Sequence, residues 1–132
     1  QTAELHHSLA GTADGRTTCR SYVLEDSALI YLGGDTTARS LKDLGFGICL
    51  LDMARDRRCI VDVRYVTRVD ASTFVYLYRI VDSLTGGKTK VLLSGLDSHA
   101  MKVLENTGLQ KKLSVLDDKG LSKILFKSGA KK

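Results

Sequence analysis

The short run from Cys59 to Val63, apolar but for Asp62 and bounded by Arg57-Arg58 before it and Arg64 after it, constrains this chain more than any other stretch. A strand that stays apolar at successive positions has both faces buried, as in a parallel sheet covered by helices. The downstream residues agree. Phe74, Leu77, Tyr78, Val81 and Leu84 recur at i, i+3, i+4, i+7 and i+10, the apolar stripe of a helix over Ala71 to Leu84 that Gly86-Gly87 stops. Thr89 to Leu93 reads as a strand and Asp97 to Thr107 as a helix. That helix ends with Gly108 at C′, and Leu104 and Leu109 are the apolar pair of a Schellman motif. Leu113 to Leu116 is a last short strand, and Asp117-Asp118 opens a closing helix that runs to about Phe126.

Upstream, Ser21 to Glu25 and Ala28 to Leu32 are β-rich runs, the second closed by Gly33-Gly34. A helical spacing then extends from Thr36 to about Arg55, with Asp35 or Thr36 as N-cap and with Gly45 and Gly47 weakening its middle. The order ββαβαβαβα predicts an α/β fold, with a mixed sheet of about five strands covered by about four helices. At 132 residues the chain holds one domain. The expected division is a loosely ordered N-terminal arm over 1–20, the domain over 21–127 and a basic C-terminal tail over 128–132.

Composition excludes several classes of function. No apolar run passes five residues, so neither a membrane span nor a signal peptide is expected. Cys19, Cys49 and Cys59 form no close-spaced pair, which fits a reducing cytoplasm and argues against a cystine scaffold or a cysteine zinc site. His6-His7 has no further ligand at metal spacing, and no metal or cofactor is expected. The net charge of +5 is local: Lys111 to Lys132 holds seven Lys and two Asp, while the other 110 residues carry 13 basic and 13 acidic side chains. A neutral body lacks the basic face that direct nucleic-acid binding uses, so none is expected. Gly87-Lys88-Thr89 is not a phosphate-binding loop, because helix precedes it and strand comes after. His99 has no partnered nucleophile, and no acid pair or Ser-His-Asp set stands out, so the chain does not read as an enzyme.

The informative segment is Tyr65 to Phe74, which leaves a buried strand and enters a helix at one end of the sheet. Opposite the apolar stripe of that helix, Ser72, Tyr76, Arg79 and Ser83 recur at i, i+4, i+7 and i+11, which turns Ser72 outward in the first turn. A phosphate there meets free backbone N–H groups and the positive end of the helix dipole, with Arg68 and Arg79 near in sequence. A bland reading stands beside this one: a first-turn hydroxyl next to a capping Asp70.

From about Ser21 to Phe126 the chain resembles a STAS domain, the fold of bacterial anti-sigma factor antagonists and of sulfate-transporter tails. The matching pieces come in order: Cys59-Ile60-Val61-Asp62-Val63, then Val66 to Ser72, the Gly-Gly-Lys before a strand, Leu93-Ser94-Gly95-Leu96, Leu104 to Leu109, and the acidic start of the last helix. The family's signature is an Asp, two hydroxyl residues and a Gly, the second hydroxyl being the phosphorylation site. Asp70 matches the Asp and Ser72 the phosphoacceptor, while Ala71 replaces the first hydroxyl and Thr73 the Gly.

The resemblance implies a non-catalytic partner-switching protein. Unphosphorylated, it binds an anti-sigma factor/serine protein kinase through Arg68, Asp70, Ala71, Thr73, Tyr76 and Arg79. The kinase, which brings its own ATP and Mg²⁺, phosphorylates Ser72, and a serine phosphatase resets it. The alternative it implies is a STAS accessory or scaffold subunit of a membrane transporter or stress-signalling complex, in which the same residues are fixed contacts.

Overall fold

A computed structural model describes residues 6–11, 16–24, 26–43, 58–85 and 91–128. Their elements are β1 (His6–Gly11), β2 (Thr17–Val23), β3 (Ser27–Thr36), α1 (Ala38–Asp43), β4 (Arg58–Val69), α2 (Ala71–Thr85), β5 (Val91–Ser94), α3 (Ser98–Thr107), a 3-10 turn (Leu109–Lys111), β6 (Ser114–Leu116) and α4 (Asp118–Ser128). The six strands form one sheet in chain order. β1, β2 and β3 pair antiparallel, and β3, β4, β5 and β6 pair parallel. The architecture is the expected α/β mixed sheet with helical cover.

Each face of the sheet has its own core. On one, Cys19, Ile30, Leu32, Val61, Val63 and Leu93 pack against Leu41 of α1, Phe74 and Leu77 of α2 and Leu104 of α3. On the other, Leu29 and Ile60 pack against Leu121 and Ile124 of α4. The run Cys59 to Val63 is buried on both faces, as its composition requires. α3 ends at Gly108 as expected, with φ +74°, but Asp97, expected as its first residue, caps it instead, its Oδ1 accepting the Ala100 N–H at 2.8 Å.

Several local expectations are corrected. Residues 6–11 and 17–20, expected in a loose arm, are strand, which raises the strand count from about five to six. β1 lies at the edge of the sheet, paired with β2. Gly33-Gly34 does not end β3, which continues to Thr36. Gly34 adopts φ +80°, and a Cβ there would run into the Arg16 carbonyl, which accepts the Asp35 N–H at 2.9 Å. The pairing shifts register twice here. Between Tyr31 and Gly33, and again between Gly34 and Asp35, β4 uses one residue more than β3.

The stretch from Arg64 to Val69 was expected to be a connection and is strand, paired along the end of β3. The N-cap of α1 is Thr37 rather than Asp35 or Thr36. Its Oγ1 accepts the Ser40 N–H at 3.2 Å, while Ser40 Oγ accepts the Thr37 N–H at 2.8 Å. Asp117, expected in the first turn of the last helix, caps α4 instead, accepting the Gly120 N–H at 2.7 Å. The part of the first expected helix beyond Asp43, including Gly45 and Gly47, lies outside the described residues, as do Gly86-Gly87 and the side chains of Val81 and Leu84. Ser128, expected in the tail, closes α4, and 129–132 also lie outside.

Candidate functional site

β4 ends at Val69, which is buried opposite Thr36, and α2 begins at Ala71. Asp70 makes the turn between them. Its Oδ1 accepts from Ser72 Oγ at 2.6 Å and from the Thr73 N–H at 3.2 Å, and Thr73 Oγ1 lies 3.3 Å away. Asp70 is therefore the N-cap of α2, and the Thr73 N–H also reaches its carbonyl oxygen at 3.1 Å. The Ser72 hydroxyl, followed by the Thr73 donors, holds the Asp70 carboxyl below the usual carboxylate range.

Ala71 and Ser72 are exposed and Thr73 is fully buried, so adjacent residues in the first turn play opposite parts. Thr73 Oγ1 donates to the Thr36 carbonyl at 2.8 Å, tying the helix start to the end of β3. A β-branched residue fits at this position because its hydroxyl closes a bond that glycine would leave open. Arg79 is exposed two turns along. Tyr76 departs from the expected outer face: it is half-buried against the core cluster, and burial pushes its phenol up.

Arg68 is exposed and stands in register with Asp35 of β3. It lines a cavity of about 520 Å³ at the carboxyl ends of β4, β5 and β6, together with Arg64, Gly95, His99 and Asp117. Ser72 is not part of that lining. Arg68 and Arg79 flank the helix start in sequence and are both exposed.

A second polar cluster lies below this cavity. Asp62 is completely buried and accepts from Ser94 Oγ at 2.8 Å, the Arg64 N–H at 2.9 Å and Arg64 Nε at 3.1 Å. Arg64 then reaches Asp118 of α4 with Nη2 at 2.7 Å. These bonds to Asp118 and Asp62 push the guanidinium up. The cluster joins β4, β5 and the first turn of α4. One sequence signal could have found it: Asp62 inside a doubly buried strand needs a partner, and Arg64 at i+2 shares its face.

No group of three or more metal-ligating side chains occurs among the described residues, and none of their helices is long and apolar enough to cross a membrane.

A comparison with solved structures finds the crystal structure of an antisigma-factor antagonist, STAS domain, from Rhodobacter sphaeroides. The identity is 17%, covering 78% of this chain and 94% of that one, with a TM-score of 0.43. No family model matches the chain. No curated protein matches it. A likeness of this size says nothing about which residues act.

Proposed function

We propose that this chain is a partner-switching protein of the anti-sigma factor antagonist kind, and that Ser72 is its phosphoacceptor. The observation that carries the reading is the exposed Ser72 hydroxyl, held at the amino end of α2 by Asp70 while Phe74 and Leu77 anchor the helix in the core. A kinase can reach that hydroxyl without unfolding anything. The partner face runs along Ala71, Ser72 and Arg79, with Asp70 and Arg68 beside the helix start. Tyr76 and Thr73 act from below, as supports for the face.

The switch follows from charge. Ser72 is a donor to Asp70, and a phosphoester oxygen has no proton to donate. Phosphorylation therefore replaces a 2.6 Å hydrogen bond with a dianion beside a carboxylate. The phosphate turns outward, away from the Asp70 carboxylate. There it occupies the ground a partner would cover. A 100-fold loss of affinity needs only about 2.7 kcal/mol, which one such charge in a packed interface supplies. Asp70, with its lowered pKa, is a poor base, so the kinase supplies the proton acceptor together with ATP and Mg²⁺. The domain itself is non-catalytic in this scheme, and a serine phosphatase restores the hydroxyl.

The test is capture of the native partner by immobilised wild type, Ser72→Ala and Ser72→Asp. The reading expects an anti-sigma factor or related serine kinase bound by wild type and Ser72→Ala, and lost with Ser72→Asp. Copurification with transporter subunits, equal for all three proteins and with no phosphate on Ser72, overturns it in favour of a fixed subunit.

A further inference from the structure

α4 covers only part of its face of the sheet. Beyond it, three tyrosines from three adjacent strands stand side by side: Tyr22 and Tyr31 with ring centroids 5.9 Å apart, and Tyr31 and Tyr65 6.0 Å apart. They line an open groove of about 720 Å³ with Thr18, Arg20 and Gly33. Tyr22 and Tyr31 are half-buried against the α4 cluster, whereas Tyr65 is 64% exposed. Gly33 keeps the floor flat, because a Cβ there would lie 2.7 Å from Thr18 Oγ1.

Arg20 is the one charged side chain among the described residues that line the groove. Arg20 pairs across the strands with Tyr31 and is exposed, and no carboxylate is among the described residues that line the groove. Asp62, in register with Tyr31, is sealed beneath by Ser94 and Arg64. α4, which flanks the tyrosines, presents Lys119 and Lys123 to solvent and belongs to the segment that holds the whole +5 excess of the chain.

We propose that this sheet face binds single-stranded nucleic acid, a base stacking on Tyr65 while Arg20, Lys119 and Lys123 hold backbone phosphates. An exposed ring beside several cations suits a ligand that alternates flat bases with anions. A duplex keeps its bases stacked inside, out of reach of Tyr65. A neutral proline-rich peptide makes no use of the cations. The sequence alone set nucleic acid aside because the body is neutral overall. The fold changes that by bringing the last helix, with Lys119 and Lys123 exposed, beside the aromatic strands. This inference does not depend on Ser72, which belongs to α2 on the opposite face of the sheet.

Fluorescence anisotropy of the full chain tests it with labelled uridine RNA and thymidine DNA strands of about 12 nucleotides and with a duplex of the same length. Single strands of either sugar are expected to bind more tightly than the duplex. With three cations engaged, the log affinity should fall against log salt with a slope of about −2. Tyr65→Ala should weaken binding about tenfold and Tyr65→Phe leave it intact, while Arg20→Ala should flatten the salt slope by about 0.7. Ser72→Asp should bind like wild type, so failure of the partner switch and failure of this site are told apart. Absence of single-strand binding at about 50 mM salt, equal binding of the duplex, indifference to Tyr65→Ala in a folded variant, or preference for an acidic peptide each overturns the proposal.

Discussion

Ser72 Oγ donates to Asp70 Oδ1 across 2.6 Å, so the residue proposed to carry the switch is held by the residue that caps its helix. One carboxylate serves both the fold and the site, and its removal should register in both.

Asp70→Ala should lower stability by about 1 kcal/mol, the usual cost of an N-cap, whereas Asp70→Asn should keep most of it. The folded carboxyl titrates below its ordinary value, so its stabilisation is complete above about pH 3.9 and is lost as the pH falls through the lower folded value. Urea melts of wild type and Asp70→Ala should therefore differ at neutral pH and converge in acid. A gap that widens on acidification contradicts the assignment.

Thr73 gives a second stability test. Thr73→Val keeps the shape but leaves the buried Thr36 carbonyl without the hydroxyl that donates to it at 2.8 Å. A loss of about 1–3 kcal/mol is expected in urea denaturation, with Thr73→Ser close to wild type. Thr73→Gly places the STAS signature's glycine here yet should cost more, because it adds the backbone entropy of glycine within a helix.

The Asp62 cluster should be lopsided. Arg64→Met removes the cation that faces a fully buried carboxylate and should cost about 3 kcal/mol or more. Asp118→Ala removes a partner whose side chain is 78% exposed, and should cost less than about 1 kcal/mol. Thermal melts of the two variants distinguish this from a simple surface salt-bridge chain, in which both would be mild.

Burial pushes the Cys59 thiol up to about 12, and Cys19 is also buried. Thiolate is the reactive form, so neither should be alkylated by iodoacetamide at pH near 8 until urea opens the fold. Peptide mass spectrometry before and after denaturation measures this; rapid modification of Cys59 in the folded chain would contradict its placement.

What was legible in the sequence tracked the strength of local signals. The doubly buried run Cys59 to Val63, the stripe through Phe74 and Leu77, and the Gly108 end of α3 each rest on residues within one element, and each stands where it was expected. β1 was missed because its residues, His6 to Gly11, lack sustained periodicity. β3 was cut short because glycines that usually end a strand here accommodate a shift of register. The Asp62 cluster joins residues 32 and 54 positions apart, beyond the reach of any local pattern. At the site, spacing placed Ser72 outward correctly. It put Tyr76 too far out, because a helical wheel carries no information about what lies alongside the helix.

The most direct measurement of the central claim is partner affinity for chain carrying phosphoserine at position 72 against the unmodified chain, read by calorimetry with the captured kinase. The account predicts that phosphorylation weakens binding about 100-fold while the circular dichroism of the free domain stays the same. Equal affinities for the two forms would contradict it.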